Sequence, residues 1–168
     1  MKTIFYFILI ITSLNSHLFS QSRLSNEQIE NRIDSLLHQL TLEEKIDLLS
    51  GTGFETKPIT RLGIPSLKMS DGPLGVNRGK STAFPSGILM ASTFNPDLIE
   101  QTGKAIAIEA RAHQRNVILG PCVNIARIPL GGRNFESFGE DPYLTSRITV
   151  SYIKGVQSQN VAATVKHF

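Results

Sequence analysis

Three short apolar runs, at residues 67–70, 117–119 and 161–167, are separated by two long stretches with helical periodicity. This alternation constrains the fold more than any other feature of the chain. Strands joined by helices lie parallel and are connected by right-handed crossovers. Runs this short and apolar suit a sheet buried on both faces. The helix signals are local and mechanistic. Asn95 caps and Pro96 opens a helix to about His113, and Asp141-Pro142 opens another to about Gln159. In the latter, Leu144, Ile148, Tyr152 and Val156 recur every fourth residue. Upstream, Ser25 with Gln28 and Thr41 with Glu44 form two capping boxes, which places two short amphipathic helices within residues 26–50. Residues 51–65, 71–82 and 121–141 are rich in Gly, Pro and polar side chains and read as loops. The expectation is an α/β chain with Asp71, the 121–141 loop and Lys166-His167 at the carboxyl ends of its strands. That is the face on which barrels and open α/β sheets bind ligands.

Composition narrows the function classes. With 40% hydrophobic residues the chain carries enough apolar side chains for a core, which argues against global disorder. The formal net charge of +3 is scattered among acidic residues without a basic run, which argues against a nucleic-acid partner. Cys122 is the sole cysteine, so no intrachain disulfide forms. The N-terminus reads as an address. Lys2 is followed by an apolar run over residues 4–11 and by small residues at Ser16 and Ser20. This predicts a signal peptide over residues 1–20, cut before Gln21, with residues 21–168 secreted or periplasmic. The run is shorter than the roughly 20 residues of a membrane span, so no stable membrane anchor is expected, a retained N-terminal anchor being the alternative.

Four places carry residues capable of chemistry, and each has a plain structural reading beside it. Asp71 lies in Ser70-Asp71-Gly72-Pro73, which is also turn chemistry. Gly131-Gly132-Arg133 resembles an anion cradle, yet no phosphate-loop fingerprint is present. Glu136, Glu140 and Asp141 form an acidic group, of which the last two also suit a helix N-terminus. Lys166-His167 ends an apolar strand, where a basic pair is either surface decoration or buried with partners. No Cys-x-x-Cys or His-Glu-x-x-His spacing points to a metal, no cofactor is indicated, and Cys122 reads as a packing residue. Together, carboxylate, guanidinium, ammonium and imidazole at neighbouring strand ends suit a polyhydroxylated ligand, although an anionic one would also fit.

Three runs in this order resemble the N-terminal domain of glycoside hydrolase family 3. They are Met69-Ser70-Asp71-Gly72-Pro73-Leu74-Gly75-Val76, residues 131–144 containing Gly-Arg-Asn-Phe-Glu and Gly-Glu-Asp-Pro, and Lys166-His167-Phe168. The similarity spans roughly residues 40–168 and is strongest to the β-glucosidase and β-xylosidase branch. It implies the N-terminal part of a (β/α)8 barrel, followed in the intact protein by an α/β sandwich domain. About 148 residues after the signal fall short of the roughly 250 of a complete barrel, so a truncated barrel is expected. The resemblance implies a retaining mechanism that releases terminal β-D-glucosyl residues, in which two carboxylates stand about 5–5.5 Å apart. It also implies that Asp71, Arg133, Lys166 and His167 bind the non-reducing-end sugar, with Lys166 and His167 donating to hydroxyls near the reacting carbon. Where the family often has Arg after Asp-Gly-Pro-x-Gly-Val, Asn77 stands here and Arg78 follows as the substitute. The family's nucleophile and acid/base have no counterpart in this sequence and are expected beyond Phe168, so residues 1–168 are expected to be inactive alone. The partner implied is a β-linked oligosaccharide or glucoside, and oligomeric state is left open. Alternatives are a β-N-acetylhexosaminidase or β-xylosidase of the same family, a non-catalytic carbohydrate-binding fragment, or an unrelated nucleotide-binding domain.

Overall fold

The structure is a computed structural model that describes residues 24–167. Residues 1–20, expected from the sequence to be a signal peptide, lie outside the described residues. The chain divides after Gln39. On the N-terminal side stands helix α1 (Asn26–Gln39), closed by the expected box: Gln28 N donates to Ser25 Oγ at 3.2 Å and Ser25 N to Gln28 Oε1 at 2.9 Å. Ile29, Ile33 and Leu37 form its apolar stripe. No helix among the described residues is long and apolar enough to cross a membrane.

The second unit begins at Leu40. Helix α2 (Leu42–Leu49) carries the second capping box, from Thr41 to Glu44. Residues 51–65, expected as loop, hold a small hairpin of β1 (Gly51–Thr52) and β2 (Glu55–Thr56) and a 3-10 turn at Thr60–Leu62. Strands of two residues leave too little periodicity to read from sequence.

The core is a parallel ladder of β3 (Met69–Asp71), β4 (Val117–Leu119) and β7 (Ala162–Ala163), in that order. Met69 pairs with Val117 and Asp71 with Leu119, while Val117 pairs with Ala162. This is the α/β arrangement expected. The two crossovers contain helices α4 (Pro96–Ala112) and α5 (Pro142–Gln157), which pack on each other. Their caps are the predicted ones: Asn95 accepts from Leu98 N, and Asp141 from Tyr143 N and Leu144 N. Ile99, Ile106, Ile148, Tyr152 and Val156 meet Ile118 and Val161 in one fully covered cluster. The helices approach closely at two glycines. A Cβ on Gly155 would stand 2.1 Å from Glu100 O, and one on Gly103 2.5 Å from Tyr152 O. Only hydrogen fits there.

Two expectations need correction. The last strand covers Ala162–Ala163 rather than 161–167, and Lys166 then forms a separate parallel bridge to Cys122. Nor is 121–141 one loop. It contains β5 (Cys122–Ile125), a 3-10 turn at Asn134–Glu136 and β6 (Ser137–Gly139), with β5 and β6 parallel. A short helix α3 (Gly87–Ala91), also unread in the sequence, packs against β6, and a Cβ on Gly87 would meet Glu136 O at 2.3 Å. Tertiary pairing, not local propensity, makes β5 and β6 strands.

Candidate functional site

Asp71 is the last residue of β3, so its carboxylate stands at the carboxyl end of the ladder. Lys166 arrives there from beyond β7. Its backbone is held against β5, since Lys166 N donates to Pro121 O at 3.0 Å and Val123 N donates to Lys166 O at 2.7 Å. Its Nζ then reaches Asp71 Oδ1 at 2.7 Å. The lysine side chain is 13% exposed and the aspartate 42%, so the cation is enclosed while the carboxylate still faces solvent. Asp71 Oδ2 has no hydrogen-bond partner among the described residues and remains available to a hydroxyl.

The segment after Asp71 is shaped from below. A Cβ on Gly72 would stand 1.9 Å from Gly75 O, so the tight Asp-Gly-Pro turn excludes a side chain there. Fully buried Tyr152 directs its hydroxyl at the carbonyls of Gly72 and Pro73, 3.4 Å from each, and burial pushes its phenol pKa up. Farther along, Glu109 of α4 accepts from Thr82 N at 2.9 Å and from Thr82 Oγ1 at 3.1 Å, tying the loop's far end to the helix. The resulting cleft, about 570 Å³, is lined by Asp71, Arg78, Phe135 and Glu136 among others. The guanidinium of Arg78 also lies over the ring of Phe54, 5.8 Å from its centre.

Arg133 does not join Asp71 directly. It makes a two-pronged pair with Glu136, Nε to Oε1 and the second prong to Oε2, each 2.7 Å. The Arg133 hydrogen bonds hold the Glu136 carboxyl below the usual carboxylate range; nearby Lys166 adds to this and Asp71 opposes it. Conversely, the hydrogen bond to Glu136 raises the Arg133 pKa, and the Asp71 charge adds to it. Arg133 lines a second cleft of about 310 Å³ with His167, Asn124 and Ser137, while its partner Glu136 lines the first. The pair thus links the two clefts.

All five residues singled out from sequence therefore fall around two linked clefts at one end of the ladder. Asp71 and Arg78 line the first, Arg133 and His167 the second, and Lys166 joins the group through Asp71. Of the acidic candidates, Asp141 is spent as a helix cap and Glu136 as the guanidinium's partner. The sequence reading missed Asn124, which accepts from His167 at 2.7 Å. A lone amide among the apolar residues Cys122, Val123 and Ile125 was the available signal. It also missed Tyr152 as a support for the Asp71 turn, because helical spacing marks it only as core. Among the described residues no group of three or more His, Cys, Asp or Glu is arranged to hold a metal.

A parallel α/β segment with charged and polar side chains gathered at the carboxyl ends of its strands has the arrangement in which α/β barrels bind their ligands. The chain belongs to glycoside hydrolase family 3: the profile described as "Glycosyl hydrolase family 3 N terminal domain" matches residues 24–168. It is 51% identical over 143 residues to a β-glucosidase of Kluyveromyces marxianus, covering 81% of this chain and 17% of that protein. A β-glucosidase of Rhizobium radiobacter is 49% identical over 144 residues, 81% of this chain and 18% of the relative. Among solved structures, the Kluyveromyces marxianus β-glucosidase in complex with glucose superposes with a TM-score of 0.79 at 50% identity, over 81% of this chain and 17% of that one. β-Glucosidase 3B from Thermotoga neapolitana in complex with glucose gives 0.77 at 41% identity, over 82% and 23%. The chain thus spans about a fifth of the length of the relatives it matches.

Proposed function

We propose that this chain supplies the glucosyl-binding part of a retaining β-glucosidase, exported by its N-terminal signal. The observation that carries this reading is the Lys166–Asp71 pair at the strand ends. It leaves one aspartate oxygen open to accept from a sugar hydroxyl, beside cations that donate. Relatives named β-glucosidase support a β-glucoside as substrate. Asp71 receives paired hydroxyls, and Lys166 donates at the neighbouring position. Arg78 donates to the sugar from the first cleft and Arg133 from the second. Such contacts strengthen as the oxocarbenium-like transition state forms.

The nucleophile and the acid/base are assigned to positions beyond Phe168 in the intact protein. Two assays test the reading. Residues 1–168 alone are expected to release no nitrophenol from p-nitrophenyl β-D-glucoside above a heat-killed control. In the intact protein, Asp71→Ala is expected to lower kcat/KM by about a thousandfold. Turnover by residues 1–168, or near-normal kinetics of the variant, overturns the assignment. Faster cleavage of the N-acetylglucosaminide or xyloside would move the protein to another activity of the same family.

A further inference from the structure

Asn124 of β5 holds His167 at two points with a single atom. Its side-chain oxygen lies 3.2 Å from the backbone nitrogen of His167 and 2.7 Å from ring Nδ1. A peptide N–H can only donate, so the amide atom facing it is the oxygen, whatever the ring does. That oxygen can only accept, so the ring nitrogen beside it carries a proton. Neutral His167 is therefore the Nδ1–H tautomer, and its Nε2 presents a lone pair that has no partner among the described residues. The buried thiol of Cys122 stands 3.3 Å from the same oxygen and 3.7 Å from Nδ1, closing the inner side of the ring. The exposed side of His167 lines the second cleft with Arg133.

We propose that Asn124 is a positioning residue that locks His167 as the Nδ1–H tautomer, so that Nε2 accepts a hydrogen bond from a sugar hydroxyl. This rests on the sugar-binding reading above and reverses one part of it, since the family resemblance implied that His167 donates. The reversal has a chemical logic. Lys166 and Arg133 only donate, while Asp71 only accepts. A second acceptor balances the set against hydroxyls, each of which both donates and accepts hydrogen bonds.

The test uses the intact protein labelled with ¹⁵N-histidine at about pH 8, above the ordinary imidazole pKa. The His167 ring signals are assigned by their loss in His167→Gln. The wild type is expected to show the proton on Nδ1 and a pyridine-type Nε2. Asn124→Leu is expected to lose this pattern in favour of Nε2–H. Asn124→Asp, whose carboxylate can accept from the same two donors, is expected to keep it. Nε2–H in the wild type, or Nδ1–H persisting in Asn124→Leu, overturns the lock. Glucose titration in the intact protein is expected to weaken about tenfold in Asn124→Leu and to recover to within about threefold in Asn124→Asp. Equal losses in both variants overturn the positioning role. The tautomer is read without sugar, so the two readings fail separately: a wild type with Nδ1–H that binds no glucose overturns the sugar reading and leaves the lock standing.

Discussion

The α4–α5 crossing and the clefts at the strand ends are built on opposite principles, although both rest on the same three-stranded ladder. At the crossing, shape decides. Gly103 and Gly155 let the helix backbones touch, and buried isoleucines and Tyr152 fill what remains. At the clefts, charge decides. Asp71 is placed by Lys166, Glu136 by Arg133 and His167 by Asn124, mostly at half-open positions. Close packing tolerates almost no added volume. A paired, partly hydrated site tolerates volume but not the loss of a partner. The difference teaches where each kind of substitution should hurt.

The largest effect on this contrast is expected from Gly155→Val. Its Cβ would fall 2.1 Å from Glu100 O, so the helices must separate. Destabilisation of about 3 kcal/mol, read by chemical denaturation, is expected; a change below about 0.5 kcal/mol would break the claim that shape governs the crossing. Tyr152→Phe comes next and sharpens the comparison, because this residue belongs to both regions. Its ring stays in the core while the hydroxyl at the Gly72 and Pro73 carbonyls is lost. A cost of about 1 kcal/mol is expected, together with weaker glucose binding; unchanged binding would show that the turn holds its shape without this support.

The smallest stability effect is expected from Glu136→Gln, and its pH dependence gives the sign. The folded-state pKa of Glu136 is lowered, chiefly by the Arg133 hydrogen bonds. Its contribution is therefore fully present above the ordinary glutamate pKa of about 4.3, and is lost as pH falls through the lower folded value. The variant should be less stable than the wild type at neutral pH and should converge with it in acid, as followed by urea melts at both ends. A gap that widens on acidification would contradict the assigned pair.

Much of this chain was legible because its signals are short-ranged. The boxes at Ser25 and Thr41, the Asn95 and Asp141 caps and the prolines after them each act within three residues, and each appears where the spacing puts it. The candidate site was legible as a set of residue types at strand ends. It was not legible as a network, and β5, β6 and the 51–56 hairpin were read as loop because strands of two to four residues carry no periodicity of their own.

By itself, then, the sequence determined the parallel α/β alternation, the helix ends, the family, and which polar residues stand at the strand ends. Tertiary structure alone decided the partners. Lys166 meets Asp71 across 95 residues, and His167 meets Asn124 across 43. Those distances are bridged by the register of the parallel ladder and by the Cys122–Lys166 bridge. Such pairings form only after the helices have packed and returned each strand to its neighbour. The direction of the proton on His167 belongs to the same class of fact. It follows from one amide oxygen brought close by the fold, and nothing within a few residues of the histidine specifies it.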